Sequence, residues 1–193
     1  MFKSLSIVGI MAVLLLSLIS CGSVSISYSP SGDSSSSQSG TNGAVSTSTK
    51  LGTRTKTSGC QASGGLQDKT CTPGAIFPNA TKAQICTSGY SSSVRNVPYS
   101  EKQQVYAEYG IFHHSSGQYE VDHLISLELG GSNDISNLWP EAAYPKPGFH
   151  QKDSVENYLH DQMCSGAISL KDAQNEIATN WLGVYNHMPS SQY

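Results

Sequence analysis

Hydrophobic positions divide the chain into stretches of different character. From Ile7 to Ile19 apolar residues run almost unbroken behind a single cation, Lys3. The run is too short for a comfortable bilayer span and stops at Ser20, so 1–20 reads as a targeting segment. From Gly22 to about Gly59 the residues are mainly Ser, Thr, Gly and Asn, and the apolar ones show no period. Such a stretch buries too little surface to offset its ordering entropy, which predicts a flexible tether over 21–59. A Gly-rich loop is expected over 60–74, an ordered domain over 75–182 and a tail over 183–193.

Within the domain the periodicity changes twice. Ser100-Glu101-Lys102-Gln103 has the form of a capping box, with Val105, Tyr106 and Tyr109 as the apolar face of the following helix and Gly110 as its stop. Tyr119 to Leu129 alternates as a strand does, Gly130-Gly131 is expected to turn the chain, and Asn137-Leu138-Trp139 opens a second strand. After a Pro-rich loop, Val155, Leu159 and Met163 recur at four-residue intervals in a helix from about Phe149 to Met163 that Gly166 ends. Ser169 with Asp172 starts a last helix, whose inner stripe is Ala173, Ile177 and Trp181. The fold class is therefore α+β, a β-hairpin plus helix with flanking helices, and Trp139 and Trp181 read as core.

Cysteines add a compartment to this picture. The junction Leu18-Ile19-Ser20-Cys21-Gly22 resembles the lipobox of bacterial lipoprotein precursors, which implies lipidation at Cys21 and a membrane-anchored, exported protein without a transmembrane helix. An ordinary cleaved signal peptide is the alternative. The other four cysteines, Cys60, Cys71, Cys86 and Cys164, contain no CxxC pair and suggest two disulfides in an oxidising compartment. Of the possible connectivities the favoured one is Cys60–Cys71 as a local loop and Cys86–Cys164 as a long-range staple.

Candidate chemistry concentrates in Glu120-Val121-Asp122-His123, Asn133 to Leu138, and His150 at the start of a helix. Neighbouring strand residues face opposite ways, so Asp122 and His123 should divide two tasks between them. Phosphodiester hydrolysis needs a base for water and positive charge on the developing phosphorane; a neutral imidazole suits the first, and a divalent cation held by carboxylate and imidazole the second. Asp-His on a strand, a Gly-Gly turn, Asn-Leu beyond it and a helical histidine resemble the HNH (ββα-metal) endonuclease family. That resemblance implies His123 as general base, Asn137 as the residue that orients the base or joins the metal shell, and Asp122 and His150 as ligands of one Mg²⁺, Mn²⁺, Ni²⁺ or Zn²⁺. It implies nucleic acid as substrate, with DNA favoured over RNA; no protein partner is inferred.

The sequence departs from the family at position 154, where many members carry a second helical histidine and this chain has serine; Asp153 or Asn157 are the candidates to replace it. Lys152 and Arg95 are the candidate phosphate contacts, each with a solvated role as the alternative. His113-His114 are expected in a solvated loop, and His160 and His187 on the surface. Between residues 75 and 182 six Lys or Arg face twelve Asp or Glu. So acidic a domain excludes the broad basic face of a tight, site-specific nucleic-acid binder and fits a low-specificity nuclease. It also keeps open a non-catalytic surface lipoprotein that uses the same scaffold to bind a partner. An interbacterial toxin would share the chemistry, but no delivery module is visible.

Overall fold

The computed structural model describes residues 49–192; the targeting segment, Cys21 and most of the expected tether lie outside them. The first described strand, β1 (Thr49–Lys50), pairs antiparallel with β2 (Ala75–Ile76). Between them the chain is pinned rather than free. Leu51 N–H donates to Gly74 O and Thr55 N–H to Thr70 O, Arg54 donates to Cys71 O and pairs with the buried Glu108 carboxylate, and Cys60 is bonded to Cys71. Residues 49–59 are thus part of the domain, a correction to the expected tether. What the composition could not reveal is that a few long-range polar partners order a stretch with no apolar period.

Three short helices follow: α1 (Lys82–Ile85), α2 (Tyr90–Val94) and α3 (Tyr99–Glu108). The cap of α3 is Pro98, without a side-chain cap bond, rather than Ser100, which sits in the first turn. Proline's fixed φ and missing N–H suit a helix start, and they shift the boundary two residues upstream.

β3 (Tyr119–His123) and β4 (Leu138–Ala142) form an antiparallel pair in which His123 lies opposite Leu138 and Asp122 opposite Trp139. The long helices α4 (Phe149–Ser165) and α5 (Leu170–His187) come after it. The domain is thus mixed α+β, with two small antiparallel pairs and five helices among the described residues. α4 ends where expected, on Gly166 at φ 90°. The hydroxyl of Ser169 accepts from Asp172 N–H at 3.1 Å to start α5, which runs past the predicted domain end and carries the buried Met188 behind it.

Gly130-Gly131 is not the hairpin turn. β3 stops at His123, and the connection over 124–137 is a loop with two 3₁₀ turns, Leu127–Leu129 and Ile135–Asn137. Leu124, Ile125 and Leu129 of this loop reach inward to meet Trp139, Val155, Leu159, Met163, Ile177 and Trp181. A loop whose apolar side chains feed the core so evenly reads as strand by alternation alone. Glycine is needed at 131 for space, since a Cβ there would lie 1.7 Å from Ile125 O.

One side chain holds the loop in shape. The Asn137 Oδ1 accepts from Ile125 N–H at 3.0 Å and from Ala75 N–H at 3.3 Å, while its Nδ2 donates to Ile125 O at 3.0 Å and Ser132 O at 2.9 Å. Asn137 is fully buried, so every one of these groups would otherwise be an unpaired polar atom in the core. The expected staple, Cys86–Cys164, ties the end of α1 to α4 with a Cα separation of 5.7 Å. Asn137→Ala is expected to cost about 3 kcal/mol or more, because four hydrogen bonds go and the backbone groups left behind stay buried. Urea denaturation followed by circular dichroism measures it; a loss under about 1 kcal/mol would mean that the loop holds without the clip.

Candidate active site

A cleft of about 540 Å³ runs along the outer side of β3, lined by Arg95, Lys102, Tyr106, Tyr119, Glu120, His123 and Phe149 among others. A second cleft of about 560 Å³ lies by Cys60 and the Pro-rich loop and contains no charged side chain and no histidine. The first is where His123 meets the two cations.

His123 ends β3 and is 2% exposed. Its Nε2 lies 3.1 Å from Asn133 Oδ1. The Asn133 amide can be read only one way round, because its Nδ2 donates to Val94 O at 2.7 Å and its Oδ1 accepts from Asn96 N–H at 3.2 Å. An oxygen facing Nε2 requires the proton to be on that nitrogen, which leaves Nδ1 with a free lone pair. Burial lowers the pKa of the ring most, Asp122 and Asn133 oppose it, and Arg95 and Lys152 add to the lowering; the net result is about 4. His123 is therefore neutral at ordinary pH with its tautomer set. Asn133 has no sequence signature of its own, since the bond spans ten residues of loop.

Arg95, between α2 and α3, and Lys102, in the first turns of α3, line the same cleft, and both are exposed. Arg95 is one of the two candidate phosphate contacts named from the sequence. Lys102 was not among the candidates; it becomes visible only once α3 is folded against β3.

On the other side of the strand the picture differs from the expectation. Asp122 Oδ2 accepts from Lys152 Nζ at 2.6 Å; the same ammonium donates to His123 O at 2.8 Å and to the Glu156 carboxylate. Lys152 is 0% exposed and its three N–H donors are all in use, so it is not a phosphate contact. Burial works against the charge of Lys152, but Asp122, Glu156 and Glu141 outweigh it and raise its pKa. Burial also raises Asp122, and Lys152 more than reverses this, so Asp122 titrates below its ordinary value. Glu141 is 1% exposed, neither carboxyl oxygen has a donor, and burial pushes its pKa well above the ordinary value.

His150 does not join Asp122. It is exposed at the start of α4, its ring 4.3 Å from that of Phe149. Two residues of helix turn the side chain by roughly 200°, so with Lys152 aimed at Asp122, His150 points elsewhere. The proposed replacements, Asp153 and Asn157, are exposed too. Asn137 neither touches the base nor offers a free oxygen, since loop backbone uses both ends of its amide. Among the described residues one group of three His, Cys, Asp or Glu has ligand atoms close enough for a metal, all within 4.8 Å: Cys86, His160 and Cys164. Its two sulfurs are joined as a disulfide, so it could hold an ion only if that bond were reduced. His160 is accordingly half-buried rather than on the surface, its Nε2 3.4 Å from Cys164 Sγ. His113 and His114 are exposed as expected, although His114 stacks on Tyr106 at 4.4 Å. The residues present do not assemble the expected Asp122–His150 shell.

The His123 environment can be tested by proton NMR, in which its ring signals should titrate near pH 4 rather than near the ordinary 6.5. Between those values the unfolded chain binds the proton and the folded chain does not, so this group makes stability fall as pH drops through the window, by up to about 3 kcal/mol. Glu156, which burial pushes up to about 7 against the pull of Lys152, acts in the opposite sense between its ordinary value and that pH. The His123 contribution is therefore the difference in pH dependence between the wild type and His123→Asn. Equal slopes for the two would exclude a depressed pKa.

In comparisons with known proteins the chain matches no family model, no curated sequence and no solved structure, and its chemistry rests on the geometry of the site itself.

Proposed function

We propose that this domain hydrolyses phosphodiester bonds of nucleic acid with little sequence preference, as an HNH-like nuclease on an exported, lipid-anchored chain. The observation that carries the reading is a neutral, tautomer-fixed His123 in a cleft that also holds Arg95 and Lys102. Nδ1 of His123 takes a proton from water, and the water oxygen forms its bond to phosphorus as the bond to the leaving oxygen breaks; the leaving oxygen keeps that electron pair and takes a proton from solvent. Arg95 and Lys102 meet the negative charge that builds on the non-bridging oxygens. Asn133 keeps the proton of the resting imidazole on Nε2 and so keeps Nδ1 available. The order strand, strand, helix, with Asp-His closing the first strand, supports the family resemblance. Because the HNH metal shell is not assembled, no step is assigned to a divalent ion.

Export and lipidation at Cys21 are proposed from the N-terminal sequence, and the two disulfides favour an oxidising compartment. A second reading, a partner-binding lipoprotein without catalysis, is favoured by one observation: Lys152 already neutralises the carboxylate that should hold the metal.

A plasmid-nicking assay, run with and without EDTA and alongside a single-stranded RNA substrate, tests the main reading. His123→Ala should lower cleavage by about 100-fold or more with the fold intact by circular dichroism. Arg95→Ala and Lys102→Ala should raise KM and flatten the salt dependence, each by about one phosphate contact. Cleavage that survives loss of the imidazole would remove His123 from the mechanism; none on either substrate would leave the binding reading.

A further inference from the structure

The family resemblance calls for a divalent cation between the strand aspartate and the helix behind it. In this chain that position has an occupant. The side chains of Asp122 from β3 and of Lys152 and Glu156 from α4 converge there, and the atom at the centre is Lys152 Nζ. The two helix residues are one turn apart on the inward face, in line with the buried Val155, Leu159 and Met163. We infer that Lys152 is the resident cation of the site, standing where a metal ion would bind, and that Asp122 binds no divalent metal in the native protein.

Three observations carry this. First, the ammonium is fully coordinated: Asp122, Glu156 and the His123 carbonyl use its three donors, and solvent does not reach it. A metal taking Asp122 Oδ2 would have to displace a buried charge that has nowhere else to go. Second, among the described residues Asp122, Glu141 and Glu156 do not form a group whose ligand atoms lie close enough together to hold one ion. Third, the helical histidine that should complete a metal shell is exposed at position 150. The position of the cation rests on geometry alone; its relevance to cleavage rests on the nuclease reading above.

Lys152 is a positioning residue, because it touches His123 through the backbone carbonyl and never reaches the cleft. Its charge also opposes a second positive charge on the imidazole. The ammonium thus performs one task of the absent ion, neutralising Asp122, and leaves the other, charge on the phosphate, to Arg95 and Lys102.

The test is Mn²⁺ binding to the full chain, followed by electron paramagnetic resonance, for the wild type, Asp122→Asn, Lys152→Ala and the double variant. Wild type and Asp122→Asn should take up Mn²⁺ identically. Lys152→Ala should gain one site, which the added Asp122→Asn removes. A wild-type site weakened tenfold or more by Asp122→Asn overturns the inference. Should Lys152→Ala not fold, the wild type and Asp122→Asn decide between themselves. Reductive methylation gives an independent reading, since Lys152 should stay unmodified with and without Mn²⁺; its exposure by Mn²⁺ would mean that the metal displaces the ammonium. Cleavage is scored separately. If no condition yields cleavage while Asp122-dependent Mn²⁺ binding is absent from the wild type, the nuclease reading fails and the assignment of Lys152 stands. If His123-dependent cleavage occurs and EDTA leaves it unchanged, the assignment is supported in the active protein.

Discussion

The buried ammonium of Lys152 joins the two parts of the domain that matter for chemistry. It bonds the last residues of β3 to α4 through Asp122 and the His123 carbonyl, so the position of the imidazole is referred to the long helix and, through Val155, Leu159 and Met163, to the core. Taking an ammonium out of water costs several kcal/mol, and the arrangement is stable only because every donor finds an acceptor and two of the acceptors are carboxyl groups. Glu141 lies beside the cluster, and burial raises its pKa well above the ordinary value. Removal of Lys152 would leave Asp122 and Glu156 without their counter-charge, so the cluster ties α4 to one angular setting against the sheet.

That setting explains why one part of the expected site is present and another is not. A metal shell spanning Asp122 and His150 needs both on the face between strand and helix. The inward face of α4 runs through positions 152, 155, 159 and 163, and His150 lies outside it. This was readable from the sequence. Lys152 lies three residues before Val155, on the apolar stripe, where a lysine is unusual unless its charge is met. The His150 assignment instead followed motif order, which carries no angular information.

Elsewhere the sequence was legible wherever period or end signals act locally. α4 starts and stops close to the expected residues, α5 starts on the expected Ser169, and the disulfide pairs are the favoured ones. It was not legible where long-range polar bonds make the structure. The loop 124–137 alternates as a strand would but is a clip wound round the Asn137 amide, and residues 49–59 lack any period yet are held by Arg54 on Glu108. Asn133 belongs to the same class: its value comes from two backbone partners on another segment that fix its amide and, through it, the tautomer of His123.

The acidity of the domain and the chemistry of its cleft are then compatible. Within a Debye length of about 8 Å, a phosphate in the cleft responds to nearby charges far more than to the sum over the surface. The charged residues lining that cleft are Arg95, Lys102 and Glu120, so positive charge leads there although acids dominate the domain. The opposite side of β3 carries most of the buried acid, and Lys152 cancels part of it before it can act across the strand. Asp122 pulls a proton toward His123, but burial of the ring outweighs that pull, and Arg95 and the Lys152 ammonium add to the lowering. With the ring buried and the aspartate paired to the ammonium, the histidine stays unprotonated, and an acidic domain can still present an imidazole beside two cations.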